Sequence, residues 1–274
     1  MKVIVFGDGW LGNLFAEKMK GQVVGVDILD FDAVKRAVYD HKPDVVINAV
    51  GKTGRPNIDW CEESEDNKRL TRYSNDYAIS ILREVVVPCA KLVHLSSGCL
   101  WEWGEDYSEM VDPDPPSFYS KTKADGEKRL RLTDALIVRI RMPFDGSGSP
   151  RCLLSKLLKY KTMISYPNSL TYVPDLIDAV EHLVELQESG VFNVVNTGAV
   201  SAREIISAYR TIHTCDMERE FITIEELASR GLIRTGRSNT ILSNEKLLRT
   251  GFEMPKARDR ISECLSRQIL LPIS

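Results

Sequence analysis

The sequence predicts an α/β fold, a doubly wound parallel sheet followed by a smaller C-terminal lobe. Three observations carry this. Short apolar runs without polar alternation recur through the first half, as in strands covered on both faces. Longer segments with helical periodicity separate them. A glycine-rich turn follows directly on the first run, and 274 residues with 43% hydrophobic positions suffice for a sizeable core.

The strands are expected over residues 2–6, 23–26, 44–48, 92–95 and 135–139, and the intervening helices over 10–20, 31–41, 66–86 and 117–132. Lys42-Pro43-Asp44 closes the second helix, because the residue before a proline is pushed out of helical geometry. A loop rich in proline and acid, 110–116, follows the fourth strand. Beyond Pro143 the pattern loosens at Gly146-Ser147-Gly148-Ser149-Pro150. Helical periodicity returns at 153–160, 176–188 and 203–211. These breaks divide the chain into residues 1–143, which build the sheet, and 144–274, mainly a second lobe with some segments returning to the sheet.

Composition works by exclusion. Thirty-nine acidic against 36 basic residues leave a net charge of −3, which disfavours a nucleic-acid binder or a polybasic membrane-surface protein. No apolar run reaches the length of a membrane span. Met1 to Gly7 already read as a strand, leaving no room for a signal peptide. The six cysteines (61, 89, 99, 152, 215 and 264) are scattered without zinc-ligand spacing, so no metal site is expected, and free thiols fit a reducing, cytoplasmic setting.

The turn Gly7-Asp8-Gly9-Trp10-Leu11-Gly12 has G-x-G-x-x-G spacing. Glycines at such positions let the backbone approach a pyrophosphate, which then sits on the helix N-terminus. A glycine-rich turn also arises for structural reasons alone, but this one lies between the first strand and first helix of a βαβ pattern, the Rossmann-type context. Gly7, Gly9, Trp10, Leu11 and Gly12 are therefore candidate cofactor contacts, with Ala49 after the third strand. Asp27 ends the second strand, where a carboxylate accepts from the adenosine ribose and favours NAD over NADP; the alternative is an acidic cap for the helix near Phe31. The segment is short, so Asp27 and Ile28 could instead flank the adenine.

Tyr119-Ser120-Lys121-Thr122-Lys123 puts a phenol and an ammonium four residues apart on one helix face. A free tyrosine is a poor acid–base catalyst at neutral pH; a lysine one turn on is expected to lower its pKa electrostatically and can hold a nicotinamide ribose. Ser97 lies 22 residues upstream at the end of a strand and offers a hydroxyl to polarise a carbonyl.

These features resemble the extended short-chain dehydrogenase/reductases that work on nucleotide sugars. Two stretches narrow the resemblance, Thr53-Gly54-Arg55-Pro56-Asn57-Ile58-Asp59-Trp60-Cys61-Glu62 and Ser117 to Ala124, together with Arg139-Ile140-Arg141-Met142-Pro143, Pro167 to Thr171, and Arg237-Ser238-Asn239. They are similar to the bifunctional 3,5-epimerase/4-reductases of nucleotide-rhamnose synthesis, relatives of the dTDP-4-dehydrorhamnose reductases. One departure is the glycine turn, a residue shorter between its first two glycines than the family's G-x-x-G-x-x-G.

The resemblance implies a Rossmann-type sheet with a C-terminal substrate-binding lobe. It also implies NADPH as cofactor, with NADH as the other form, a UDP- or dTDP-linked 4-keto-6-deoxy sugar as substrate, and a homodimer as a common arrangement. Ser97, Tyr119 and Lys123 would reduce the ketone. Cys99 stands at the spacing of the family's epimerising cysteine and Lys156 matches its lysine partner; an ordinary buried thiol and a solvated helix lysine are the alternatives. Thr53, Arg55, Asn57, Asp59 and Trp60 would face the sugar, and Asn168, Arg237 and Asn239 the nucleotide. Asn75 matches an asparagine that supports the lysine, or is a helix-surface residue. Trp101 and Trp103 wall the sugar or pack in the core, and the four histidines receive no role. Two alternatives stay open, a reductase without epimerase activity and a non-catalytic cofactor-binding regulatory subunit.

Overall fold

The computed structural model describes residues 1–267. Strand β1 (Val3–Phe6) runs into α1 (Trp10–Lys18) and β2 (Gln22–Val24), and α2 (Phe31–His41) leads to β3 (Val45–Asn48). A longer excursion through α3 (Glu65–Arg72), a π-helical turn (Tyr73–Tyr77) and α4 (Ala78–Val85) reaches β4 (Lys91–Ser97). After α5 (Phe118–Leu130) comes β5 (Leu136–Ile140). The chain then crosses α6 (Leu153–Lys159) and α7 (Val173–Glu185) before β6 (Gly190–Asn193), and α8 (Ala202–His213) follows. All six strands are parallel, in spatial order β6-β5-β4-β3-β1-β2. Strand order reverses between β1 and β3, and a crevice beyond the carboxyl ends of the strands is where such sheets take ligands.

Alternate residues along each strand point to opposite faces, so each strand feeds two cores. Val3, Val5, Ile47, Val93 and Val138 meet Phe15 of α1 and Leu176, Val180 and Leu183 of α7. Ile4, Phe6, Val46, Leu92 and Ile137 meet Val34 and Val38 of α2, Ile79 and Leu82 of α4 and Leu130 of α5. A third core, with Leu154, Met163, Tyr172, Ile205, Tyr209 and Ile261, belongs to the C-terminal lobe. Strand pairing in this lobe is short: Pro143–Phe144 with Thr171–Tyr172, Thr162–Met163 with Glu220–Phe221, and Asn239–Leu242 with Trp103–Tyr107, the strand that follows β4.

Several boundaries differ from the sequence reading for identifiable reasons. The helix expected over 66–86 is interrupted by the π turn, which buries two polar residues: Asn75 bonds the Lys52 backbone and Thr122, and Asp76 pairs with Arg129. Helix α5 packs so tightly on this turn that a Cβ on Gly126 would come within 2.2 Å of the Asn75 carbonyl oxygen. Helix α7 starts earlier than residue 176, with Pro174 in its first turn, where no N–H is needed. The cap of α2 is Asp30, whose Oδ1 accepts from Ala33 N–H; Asp27 does not cap that helix. Helix α8 starts at Ala202 behind a reciprocal cap of Ser201 and Glu204, and it runs past the expected 211 to His213, where Thr214 turns left-handed and its N–H closes on the Arg210 carbonyl. Among the described residues no helix is long and apolar enough to cross a membrane, and no three metal-ligating side chains cluster.

Candidate active site

The β1–α1 turn is built for close approach. Gly7 has φ +107°, and a Cβ there would lie 2.9 Å from the Ala49 carbonyl carbon at the end of β3. A Cβ on Gly12 would stand 1.9 Å from the Gly7 oxygen, so only glycine fits where α1 leaves the strand. A Cβ on Gly9 would meet nothing within 4 Å, and Gly9 caps α1 without any side-chain hydrogen bond. The first N–H groups of α1 thus point into open space with the positive end of the helix dipole, an arrangement suited to a pyrophosphate. Leu11 and Ala49 line the adjoining cleft. Trp10 spends its indole N–H on Asp145 of the second lobe, at 3.2 Å. Asp27 is exposed and accepts from Leu29 N–H, whereas the Ile28 side chain is in the core, so only the Ile28 backbone could flank an adenine. The turn and its neighbours fit a dinucleotide even with the shorter spacing between the first two glycines.

That cleft, about 410 Å³, opens over the ends of β4 and β5. Ser97, Cys99, Tyr119, Lys123 and Lys156 all line it. Ser117 caps α5 by accepting from Ser120 N–H, which fixes the helix start at Phe118, one residue before Tyr119. Tyr119 is buried, and its phenol is raised above its ordinary value by burial first and then by the neighbouring Cys99; a hydrogen bond to Ser97 works against this. Lys123, 4% exposed, donates to the Leu95 carbonyl at 2.9 Å, and burial pushes it down to about 8 against the pull of Glu127. Asn75 is not a surface residue. Its amide donates to the Lys52 carbonyl and to Thr122 Oγ1, and its oxygen accepts from Lys52 N–H, tying the loop after β3 to the helix that carries Lys123.

Cys99 is half-buried and faces the cleft, unlike the ordinary buried thiol that was the alternative. Lys156 is half-buried as well, and burial followed by the Arg151 charge lowers it from the usual lysine value. Among the described residues no carboxylate and no imidazole lines this cleft; its charged groups are Lys123, Arg141, Arg151, Lys156 and Arg237.

A second cavity, about 580 Å³, shares Asn57, Met142, Tyr160 and Arg237 with the first and runs into the C-terminal lobe. Asn168 and Asn239 line it. Asn239 keeps a buried Nδ2 without a partner, a donor available to a ligand. Asn168 is already committed, because its oxygen accepts from Arg141 Nη2 at 2.6 Å and from Thr240 N–H. Asp59, expected to face the sugar, instead accepts from Arg237 at 2.8 Å and from Thr235 at 2.9 Å. Burial opposes its ionisation, but those hydrogen bonds and the Arg237 charge outweigh it and hold the carboxyl below its usual value. This pair latches the 53–62 loop to the C-terminal lobe. Thr53 and Asn57 line the cleft, but Arg55 and Trp60 line neither cavity. Trp101 is core, stacked on Tyr107 at 4.4 Å, and Trp103 is exposed against Tyr166.

Sequence reasoning missed the roles of Arg141, Arg151 and Tyr160 as walls of the cleft. The one available signal was an arginine directly after an apolar strand, in Leu-Ile-Val-Arg-Ile-Arg.

The sequence profile of the RmlD substrate binding domain matches residues 1–269. A solved UDP-rhamnose synthase from Acanthamoeba polyphaga mimivirus superposes with a TM-score of 0.90 at 29% identity, over 97% of this chain and 99% of that one. A bifunctional dTDP-4-dehydrorhamnose 3,5-epimerase/dTDP-4-dehydrorhamnose reductase of Arabidopsis thaliana is 29% identical over 262 residues, 89% of this chain and 85% of that protein. A trifunctional UDP-glucose 4,6-dehydratase/UDP-4-keto-6-deoxy-D-glucose 3,5-epimerase/UDP-4-keto-L-rhamnose-reductase of the same plant is 28% identical over 279 residues, and this chain spans 41% of its length.

Proposed function

The chain belongs to the RmlD substrate-binding family, and from that membership we propose that it epimerises C3 and C5 of a nucleotide-linked 4-keto-6-deoxy sugar and then reduces C4, giving a nucleotide-L-rhamnose. The observation that carries this is the gathering of Ser97, Tyr119, Lys123, Cys99 and Lys156 around one cleft without carboxylate or imidazole. Residues 1–143 would hold the cofactor, on Gly7, Gly9, Leu11, Gly12 and Ala49, and 144–274 mainly the nucleotide.

The nicotinamide cofactor, when bound, supplies the hydride for C4. Ser97 and Tyr119 act on the ketone oxygen, Ser97 polarising it and Tyr119 giving it a proton. A phenol raised by burial holds that proton until the oxygen becomes basic. Lys123 keeps a positive charge beside the site and would hold the nicotinamide ribose. The protons on C3 and C5 are acidic because the C4 ketone stabilises the resulting enolate. With no carboxylate or imidazole at hand, Cys99 and Lys156 are the groups left to remove and return them. The mimivirus and Arabidopsis relatives named for rhamnose synthesis and for 3,5-epimerisation support this reading.

Tyr119→Phe should lower ketone reduction by about 10²–10⁴-fold while cofactor binding persists. Full turnover in that variant would sink the assignment. In deuterated solvent, wild type should place label at C3 and C5 and Cys99→Ala should not. A wild type that reduces without label is a reductase only. One that binds cofactor but reduces no 4-keto sugar is a regulatory subunit.

A further inference from the structure

We propose that Arg141 holds Cys99 as a thiolate and fixes its direction, so that the base of the epimerisation is a guanidinium-paired sulfur. This rests on the epimerase reading above. Arg141 directly follows β5, is 2% exposed, and donates from Nη1 to Cys99 Sγ at 2.7 Å. Its Nη2 donates to Asn168 Oδ1 and to the Ser238 carbonyl, its backbone N–H is held by Thr171 Oγ1 at 3.0 Å, and its Nε has no partner.

Charge couples the two groups. A guanidinium stays protonated in a protein, and burying it without an anion is costly. Every acceptor on this one is neutral as drawn: an amide oxygen, a peptide carbonyl and a thiol. Of these only the thiol can become an anion, by losing a proton. Of the other charged and titratable groups around the sulfur, the cations act the same way or are already spent, and the buried Tyr119 phenol, kept protonated, adds no opposing charge. From α5 come Tyr119 and Lys123, from α6 Lys156, and from the flanking loops Arg151 and Arg237, the last paired with Asp59. Negative charge on Cys99 also helps to keep the Tyr119 phenol protonated for the reduction that follows.

In the step itself the thiolate takes a proton from C3 or C5. The C–H bond breaks, an S–H bond forms, and the electron pair moves into the enolate with its charge on the C4 oxygen. The Lys156 ammonium returns a proton to the opposite face, and thiol and amine reset by exchange with solvent. Arg141 touches neither carbon and is a positioning residue. Asn168, in turn, orients Arg141.

The test is site-resolved alkylation of the apo protein with iodoacetamide across pH, read by mass spectrometry. The exposed Cys89 serves as the internal ordinary thiol. In wild type the alkylation midpoint of Cys99 should lie at least about one pH unit below that of Cys89. Arg141→Met should raise it to the Cys89 value or above, and Arg141→Lys should restore part of the difference. A wild-type Cys99 that titrates with Cys89, or a midpoint unmoved in Arg141→Met, overturns the proposal. The wild-type comparison stands even if Arg141→Met does not fold. Deuterium labelling separates the two ideas. Labelled product with an ordinary Cys99 rejects the thiolate alone, whereas a low midpoint without label rejects the epimerase reading alone.

Discussion

A lysine whose ammonium donates to a main-chain carbonyl inside a parallel sheet is an uncommon cation, and Lys123 is one. Burial lowers it to about 8, against about 10.4 for an unfolded lysine. Between those values the unfolded chain carries the extra proton, so this group makes stability rise with pH through that window. Below about 8 both states are protonated and the cost of burying the charge is fully present. Lys123→Met should abolish reduction yet be more stable than wild type near pH 7, by at most about 3 kcal/mol. Calorimetry from pH 7 to 10 should show that advantage shrinking, and a constant gap would disprove it. The Ser97, Tyr119 and Lys123 roles were legible because catalysis there uses fixed local spacing. Arg141 was not, because its meaning depends on residues 99, 168 and 238, brought together only by the fold.

At the scale of elements, α5 must hold Tyr119 and Lys123 to the sheet, and a buried ion pair does much of this. Glu127, one turn beyond Lys123, accepts from Arg139 of β5 at 2.8 Å and from Ser96 of β4 at 2.6 Å, with both partners of the ion pair fully buried. Arg139→Met leaves a lone buried carboxylate and should cost about 3–5 kcal/mol in urea unfolding. Adding Glu127→Leu should recover most of that loss. Equal losses in the single and double variants would show that the pair matters for reasons other than charge. The strands of this layer were readable from unbroken apolar runs. The π turn at Tyr73–Tyr77 was not, because its cause is distant: α5 presses at Gly126, and Asn75 and Asp76 find partners outside their own helix.

For the whole molecule, two lobes meet across the cleft through Trp10 with Asp145 and Asp59 with Arg237. The sheet lobe was legible because βαβ alternation repeats one pattern. The C-terminal lobe was legible only in its helices, since its short strand pairings and irregular loops leave no periodicity of their own. That is also why the hold of Asp59 on Arg237, 178 positions apart in the chain, was not legible.

A chain of net charge −3 that gathers five cationic side chains around one opening, with Arg237 paired to Asp59 and Arg141 to the Cys99 sulfur but Lys123, Arg151 and Lys156 without an anionic partner among the described residues, has a field that reaches beyond contact distance. A nucleotide diphosphate sugar approaching from solution should be drawn in before it touches anything. Its association rate should therefore fall steeply as salt rises from about 0.01 to about 0.15 M, while the rate of the bound complex stays level. Stopped-flow binding across that range would show it, and a flat association rate would mean that the protein's acidic exterior cancels the pull of the cleft.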